Sequence, residues 1–172
     1  MSTQCGKIGN HRFHGDPKRF EAITNFVLAK YGKKIKYIAD IAGGQGMLTR
    51  MLCKKNYEAE VVDPRGYTLK GVPSRAEEFK LDMADYYDLI IGLHPDEATR
   101  AVVESAKITP TLLIPCCNFW DRTKTLGRDA LISDIERYYD KNNIEYEKVV
   151  LDFKGPMNIG LSTKPMIKFK HG

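Results

Sequence analysis

The stretch Asp40-Ile41-Ala42-Gly43-Gly44-Gln45-Gly46 decides the reading of this chain. It continues the short run Tyr37-Ile38-Ala39-Asp40-Ile41, which reads as a strand. It precedes Met47, Leu48, Met51 and Leu52, which are spaced as one face of a helix. Three glycines within four residues allow a tight turn and let a ligand approach the backbone with no Cβ in the way. A plain strand-to-helix turn would also carry glycine, so the weight comes from an acid further along the chain. Asp63 ends the next run, Glu60-Val61-Val62-Asp63, and Pro64 stops it. A carboxylate at that strand end can accept hydrogen bonds from both hydroxyls of a ribose. An ordinary strand-end or capping carboxylate needs no ligand. Glycine turn and acid together point to an adenosine-type ligand more strongly than either alone.

Outward from this turn, strand-like and helix-like stretches alternate. Upstream, Asp16 is placed to cap a helix opening at Pro17; Phe20, Ile23, Phe26 and Val27 share one helical face, and Gly32 ends the helix after Tyr31. Downstream, a short third strand is expected around Leu69–Val72, and Asp88–Leu93 is an apolar fourth strand. A helix opens at Pro95 or Asp96 and runs through Ala98, Val102, Val103 and Ala106. Thr111–Cys116 is a fifth strand, and Arg128 to Lys141 a long helix. Two late strands, near Tyr146–Phe153 and Asn158–Ser162, flank the turn Lys154-Gly155-Pro156, and Met166–Phe169 extends that edge. Strands apolar throughout belong to a parallel sheet covered on both faces. Their alternation with helices predicts an α/β, doubly wound fold with ligands beyond the carboxyl ends of the strands. A chain of 172 residues suits one domain: an N-terminal arm and helix over 1–34 and the core over 35–172.

The glycine spacing is Gly-Gly-x-Gly, not the Gly-x-Gly-x-x-Gly of dinucleotide sites, which disfavours a nicotinamide-dependent oxidoreductase. With Asp40 two residues before Ala42, the segment resembles the first motif of class I S-adenosylmethionine-dependent methyltransferases, D/E-x-G-x-G-x-G, with Ala42 in place of the first glycine. Asp63 matches that family's second-strand acid. Residues 88–95 match its fourth strand and the loop to the reaction centre, and the closing strands match its antiparallel hairpin, so the resemblance covers about residues 35–165. Gly92-Leu93-His94-Pro95-Asp96 departs from the Asn/Asp-Pro-Pro-Tyr/Phe of many amino-methylating members. Gly92-Leu93-His94 and Pro115-Cys116-Cys117 are similar to loops of a methyltransferase-like subgroup, some of whose members modify tRNA.

The resemblance implies a mostly parallel, seven-stranded Rossmann-like sheet with a C-terminal antiparallel hairpin, S-adenosyl-L-methionine as cofactor, and methyl transfer without a metal. Ala42, Gly43, Gly44 and Gly46 are expected to line the amino-acid and ribose portion of the cofactor. Asp40 would hold its ammonium, directly or through water, and Asp63 the ribose hydroxyls. Pro64 and Arg65 would lie beside the adenine, with Glu77 or Glu78 at its amino group or simply solvated. His94, Asp96 and Asn118 are the catalytic candidates. His94 reads as a base, a substrate contact or a loop histidine bonded to backbone, and Asp96 as a catalyst or a helix N-cap. Asn118-Phe119-Trp120 offers an amide and two aromatics, either stacking a planar base at the mouth or packing beneath the loop. Arg122, Lys124 and Arg128, next in the chain, are possible phosphate contacts.

Residues 1–80 hold 15 basic and 8 acidic side chains, net +7, whereas the remainder holds 12 and 14, net −2. A basic N-terminal half admits RNA as partner and acceptor, or is a solvated lysine-rich surface. Alternatives to an RNA methyltransferase are a small-molecule methyltransferase and a non-catalytic cofactor-binding subunit of a protein partner. Cys5, Cys53, Cys116 and Cys117 fit neither a disulfide framework nor a CxxC zinc site. Cys5, His11 and His14 lack a fourth ligand nearby, and His11, Arg12, His14, Lys18 and Arg19 read as a lid or phosphate-facing arm. No apolar run is long enough to span a bilayer, and Met1–Lys7 lacks a signal-peptide pattern, so a cytoplasmic protein is expected.

Overall fold

The structure, a computed structural model, describes residues 15–155 and 157–164. Its elements in chain order are Lys18–Tyr31 (α1), Tyr37–Ile41 (β1), Met47–Lys54 (α2), Glu58–Val62 (β2), Ser74–Arg75 (β3), Leu89–Leu93 (β4), Thr99–Ser105 (α3), Thr111–Ile114 (β5), Arg128–Lys141 (α4), Tyr146–Val150 (β6) and Ile159–Thr163 (β7). The strands form one seven-stranded sheet in the order β3-β2-β1-β4-β5-β7-β6. β3, β2, β1, β4 and β5 run parallel, while β7 is antiparallel to both β5 and β6. This is the α/β, doubly wound arrangement that the alternation of elements predicts.

The apolar runs are apolar throughout because both sheet faces are covered. Side chains alternate between faces along a strand. Ile38, Leu89, Ile91, Leu112 and Ile114 meet Ile23 and Val27 of α1 and Leu48 and Leu52 of α2. Ala39, Ile41, Ile90, Leu113 and Leu161 meet Val102 and Val103 of α3 and Leu131, Ile135 and Tyr139 of α4. Each fully buried aliphatic side chain contributes about 1.5–3 kcal/mol of transfer free energy. Asp16 ties the start of α1 to the hairpin: Oδ1 accepts the Lys18 N–H at 3.0 Å and Oδ2 the Lys154 N–H at 2.8 Å.

The structure corrects several boundaries. The third strand is Ser74–Arg75, not Leu69–Val72. Residues 69–72 curl into a turn, Val72 N–H donating to the Leu69 carbonyl at 3.1 Å, with Gly71 at φ +83°. The fifth strand stops at Ile114, because Pro115 has no N–H to give the ladder. Before α3 the chain makes a 3₁₀ turn over Asp96–Ala98. The first late strand ends at Val150. Met166–Phe169, Cys5, His11, Arg12 and His14 lie outside the described residues. No helix among the described residues is long and apolar enough to cross a membrane.

Candidate active site

Strand order reverses between β1 and β4, and the carboxyl ends of β1, β2 and β4 therefore border one crevice, the place where such sheets bind ligands. The β1–α2 turn is built around two buried acids. Asp40, 2% exposed, lies beneath Gly43 and accepts a hydrogen bond from Thr49 Oγ1 of α2 at 2.9 Å. A Cβ on Gly43 would stand 2.5 Å from Asp40 Oδ2, so only glycine fits there. Burial, with the nearby Asp63 charge, pushes the Asp40 carboxyl up to about 7 despite the Thr49 bonds. Ala42 keeps a left-handed φ of 54° where the resembled motif has glycine, and its N–H continues the β1–β2 ladder to the Val62 carbonyl at 2.9 Å. Gly46 at φ 83° opens α2, and a Cβ there would meet Val72 Cγ1 at 2.7 Å. The Leu69–Val72 turn thus packs under the glycine loop.

Asp63 comes directly after β2 and is also 2% exposed. Its Oδ2 accepts the Gly44 N–H at 3.0 Å and its Oδ1 the Arg65 N–H at 2.9 Å. Burial alone would raise its carboxyl. Hydrogen bonds from the Arg65 side chain and backbone, the Arg65 charge and the Gly44 N–H outweigh burial and hold it below the usual carboxylate range. Asp63 therefore stays ionised, with hydrogen-bond acceptors on both oxygens. Arg65, expected beside an adenine, turns back onto Asp63, and Pro64 beside it is exposed.

The β4–β5 side is assembled from distant pieces. His94 and Asp96 both hold left-handed backbone, φ 50° and 47°, on either side of Pro95. His94 N–H donates to the Ile114 carbonyl at 2.9 Å, and its Nε2 lies 3.1 Å from the Met157 carbonyl. A carbonyl only accepts, so Nε2 carries the proton and Nδ1 the free lone pair. Burial first, and the Arg19 charge from α1, lower the imidazole's proton affinity, with the Met157 bond opposing, so the ring is neutral near pH 7. Cys116 Sγ donates to Asp96 Oδ1 at 3.5 Å. Burial and the Asp96 charge push that thiol well above its ordinary range, so it remains protonated.

Two sequence expectations change here, at Asp96 and Trp120. Asp96 does not cap α3 through its carboxylate; its carbonyl accepts the Thr99 hydroxyl at 2.7 Å, while the carboxylate faces Cys116. Asn118, a catalytic candidate, holds its own loop together: Nδ2 donates to the Asp121 and Lys124 carbonyls at 2.7 and 2.8 Å, and Oδ1 accepts the Asp121 N–H at 3.0 Å. Trp120 is core, not a stacking face. It is 6% exposed, its Nε1 donates to Asp134 Oδ2 at 3.0 Å, and Tyr138 meets it edge-on at 5.0 Å. Arg122, Lys124 and Arg128 pair with Glu97, Asp121 and Asp129. Glu77 and Glu78 are exposed. Sequence reading missed Thr49, Met157 and the Cys116–Asp96 contact, since each partner lies on another element. Among the described residues, no group of three or more His, Cys, Asp and Glu is placed to hold a metal ion.

No family model matches the sequence, and no curated protein does. Solved structures do match in fold. DesVI of Streptomyces venezuelae is 9% identical over 86% of this chain and 91% of that one, with a TM-score of 0.58. The sugar N-methyltransferase KedS8 of Streptoalloteichus sp. ATCC 53650 is 13% identical over 94% and 99%, at 0.57. The magnesium protoporphyrin IX methyltransferase ChlM of Synechocystis PCC 6803, solved with bound S-adenosylmethionine, is 14% identical over 85% and 76%, at 0.54. This chain has the Rossmann-like fold of the class I S-adenosylmethionine-dependent methyltransferases.

Proposed function

We propose that this chain binds S-adenosylmethionine across the ends of β1 and β2 and transfers its methyl group to an acceptor at the ends of β4 and β5. The observation that carries the reading is the joint placement of the Gly43–Gly46 loop and ionised Asp63, one strand apart and linked by the Gly44 N–H. Gly43 and Gly44 allow close approach of a ligand to the backbone, and the two Asp63 oxygens match a ribose diol. The cofactor supplies an electrophilic methyl on a sulfonium; transfer leaves a thioether, and the acceptor gains the methyl and gives up a proton. The chain's part is to align the two reactants and exclude water. Neutral His94, with Nδ1 unprotonated, is the candidate proton acceptor.

Support for the acceptor divides. The net +7 over residues 1–80 favours RNA. The burial of Trp120 and the pairing of Arg122, Lys124 and Arg128 favour a small molecule. Titration with S-adenosylhomocysteine and with NAD tests the cofactor: the first should raise the melting temperature and the second should not. A labelled-methyl assay of the chain alone, with RNA, protein and small-molecule fractions, tests the transfer. Cofactor binding with no transfer to any fraction would make the chain a cofactor-binding subunit of a protein partner.

A further inference from the structure

Asp63 has both carboxylate oxygens engaged by its own chain. An ionised carboxylate offers about four acceptor positions, two on each oxygen. On Oδ1 the donors are the Arg65 backbone N–H and Arg65 Nε, both at 2.9 Å. On Oδ2 they are the Gly44 N–H at 3.0 Å and Arg65 Nη2 at 2.6 Å, with Nε also at 3.2 Å. Each oxygen is therefore shared between one backbone donor, fixed by the fold, and the guanidinium fork. The Asp63 side chain is 1% exposed and that of Arg65 33%, so the arginine is the outer partner. The guanidinium also reaches the Ala42 carbonyl at 3.4 Å and the Tyr67 ring centroid at 5.4 Å, both weaker contacts than the fork.

A vicinal diol is also a two-donor fork. With the backbone donors in place, each Asp63 oxygen has one position left, and the guanidinium holds both. We infer that Arg65 competes with the ribose for Asp63, and that a nucleoside cofactor binds by displacing the arginine side chain from the carboxylate. The inference rests on the reading of Asp63 as the ribose acid. Until a ligand arrives, Arg65 keeps the buried carboxylate ionised and hydrogen-bonded, which removes the penalty of an unpaired buried charge. The same pairing lowers apparent affinity by the fraction of molecules in which Asp63 is closed off.

Calorimetric titration of the full chain with S-adenosylhomocysteine tests this. Arg65→Ala should bind roughly tenfold more tightly than the unaltered chain. Arg65→Gln, which keeps the bulk of the side chain but lacks the charged fork, should shift in the same direction. Without ligand, Arg65→Ala should melt no higher than the unaltered chain, so that the gain is not general stabilisation. Unchanged or weaker binding by both variants, beside measurable binding by the unaltered chain, overturns the competition and leaves the cofactor reading intact. Absence of binding by all three proteins overturns both.

Discussion

At the ends of β1 and β2 the left-handed backbone positions belong mainly to glycine, Gly44 at 58° and Gly46 at 83°, with Ala42 at 54° the exception; at the end of β4 they belong to His94 at 50° and Asp96 at 47°. The first region is shaped by backbone: a missing Cβ over Asp40, and the Gly44 and Arg65 N–H groups on Asp63. The second is shaped by side chains held against their backbone preference, at about 1–3 kcal/mol for each such residue. That cost is sustained by contacts from elsewhere: the Ile114 and Met157 carbonyls on His94, and Cys116 on Asp96. A glycine loop accepts a ligand by leaving space, whereas the β4 turn presents particular functional groups. The difference is the one expected if, as proposed, the cofactor takes the first region and the acceptor the second.

The contrast breaks most sharply at Gly43. Gly43→Ala should weaken S-adenosylhomocysteine binding by at least about a hundredfold, since the new methyl meets the Asp40 carboxyl; near-normal affinity in a folded variant would show that the loop does not carry the site. Asp40 should give the next largest effect. Its raised folded-state value means that the folded chain holds a proton the unfolded chain has lost, so its contribution is complete below about pH 4 and lost as pH rises through about 7. Relative to Asp40→Asn, the unaltered chain should lose about 2–4 kcal/mol across that window. Urea unfolding at pH 4.5, 6 and 8 reads the slope, and parallel profiles would refute it.

Asp63→Ala and Asp96→Ala separate the two sides directly. The first should weaken S-adenosylhomocysteine by roughly 10–100-fold, the value of charge-assisted hydrogen bonds. The second should leave that affinity unchanged while lowering methyl transfer. Equal losses of affinity in both would merge the two regions into one. Trp120→Phe should cost about 1–3 kcal/mol of stability through the lost Asp134 bond, with no change in cofactor affinity; guanidinium midpoints and calorimetry check both halves. The smallest effect is expected at Ala42. Ala42→Gly relieves the left-handed alanine and should stabilise the fold by up to about 1 kcal/mol, visible as a shift in urea midpoint. No shift would place the strain elsewhere.

The sequence by itself determined most of the sheet and placed the glycine loop and Asp63 at neighbouring strand ends. Strand and helix periods are local, and buried apolar runs such as Leu89–Leu93 and Thr111–Ile114 are legible without knowing their neighbours. The glycine loop is contiguous, and Asp63 is one strand further along the chain. Tertiary structure alone decided the other side. Trp120 reads as a stacking face or as core, and only the positions of Asp134 and Tyr138 make it core; the bonds of Asn118 to the Asp121 and Lys124 carbonyls are likewise set by the folded loop. His94 receives its tautomer from Met157, 63 residues away, and Asp96 its thiol partner from Cys116, 20 residues away. Arg65 illustrates the same limit beside the glycine loop: its place in the sequence puts it two residues after Asp63, but the fork on Asp63 is a matter of side-chain rotamer, which local pattern does not encode. Propensity and periodicity act over a few residues, while hydrogen-bond partners are chosen across the sheet after it has formed.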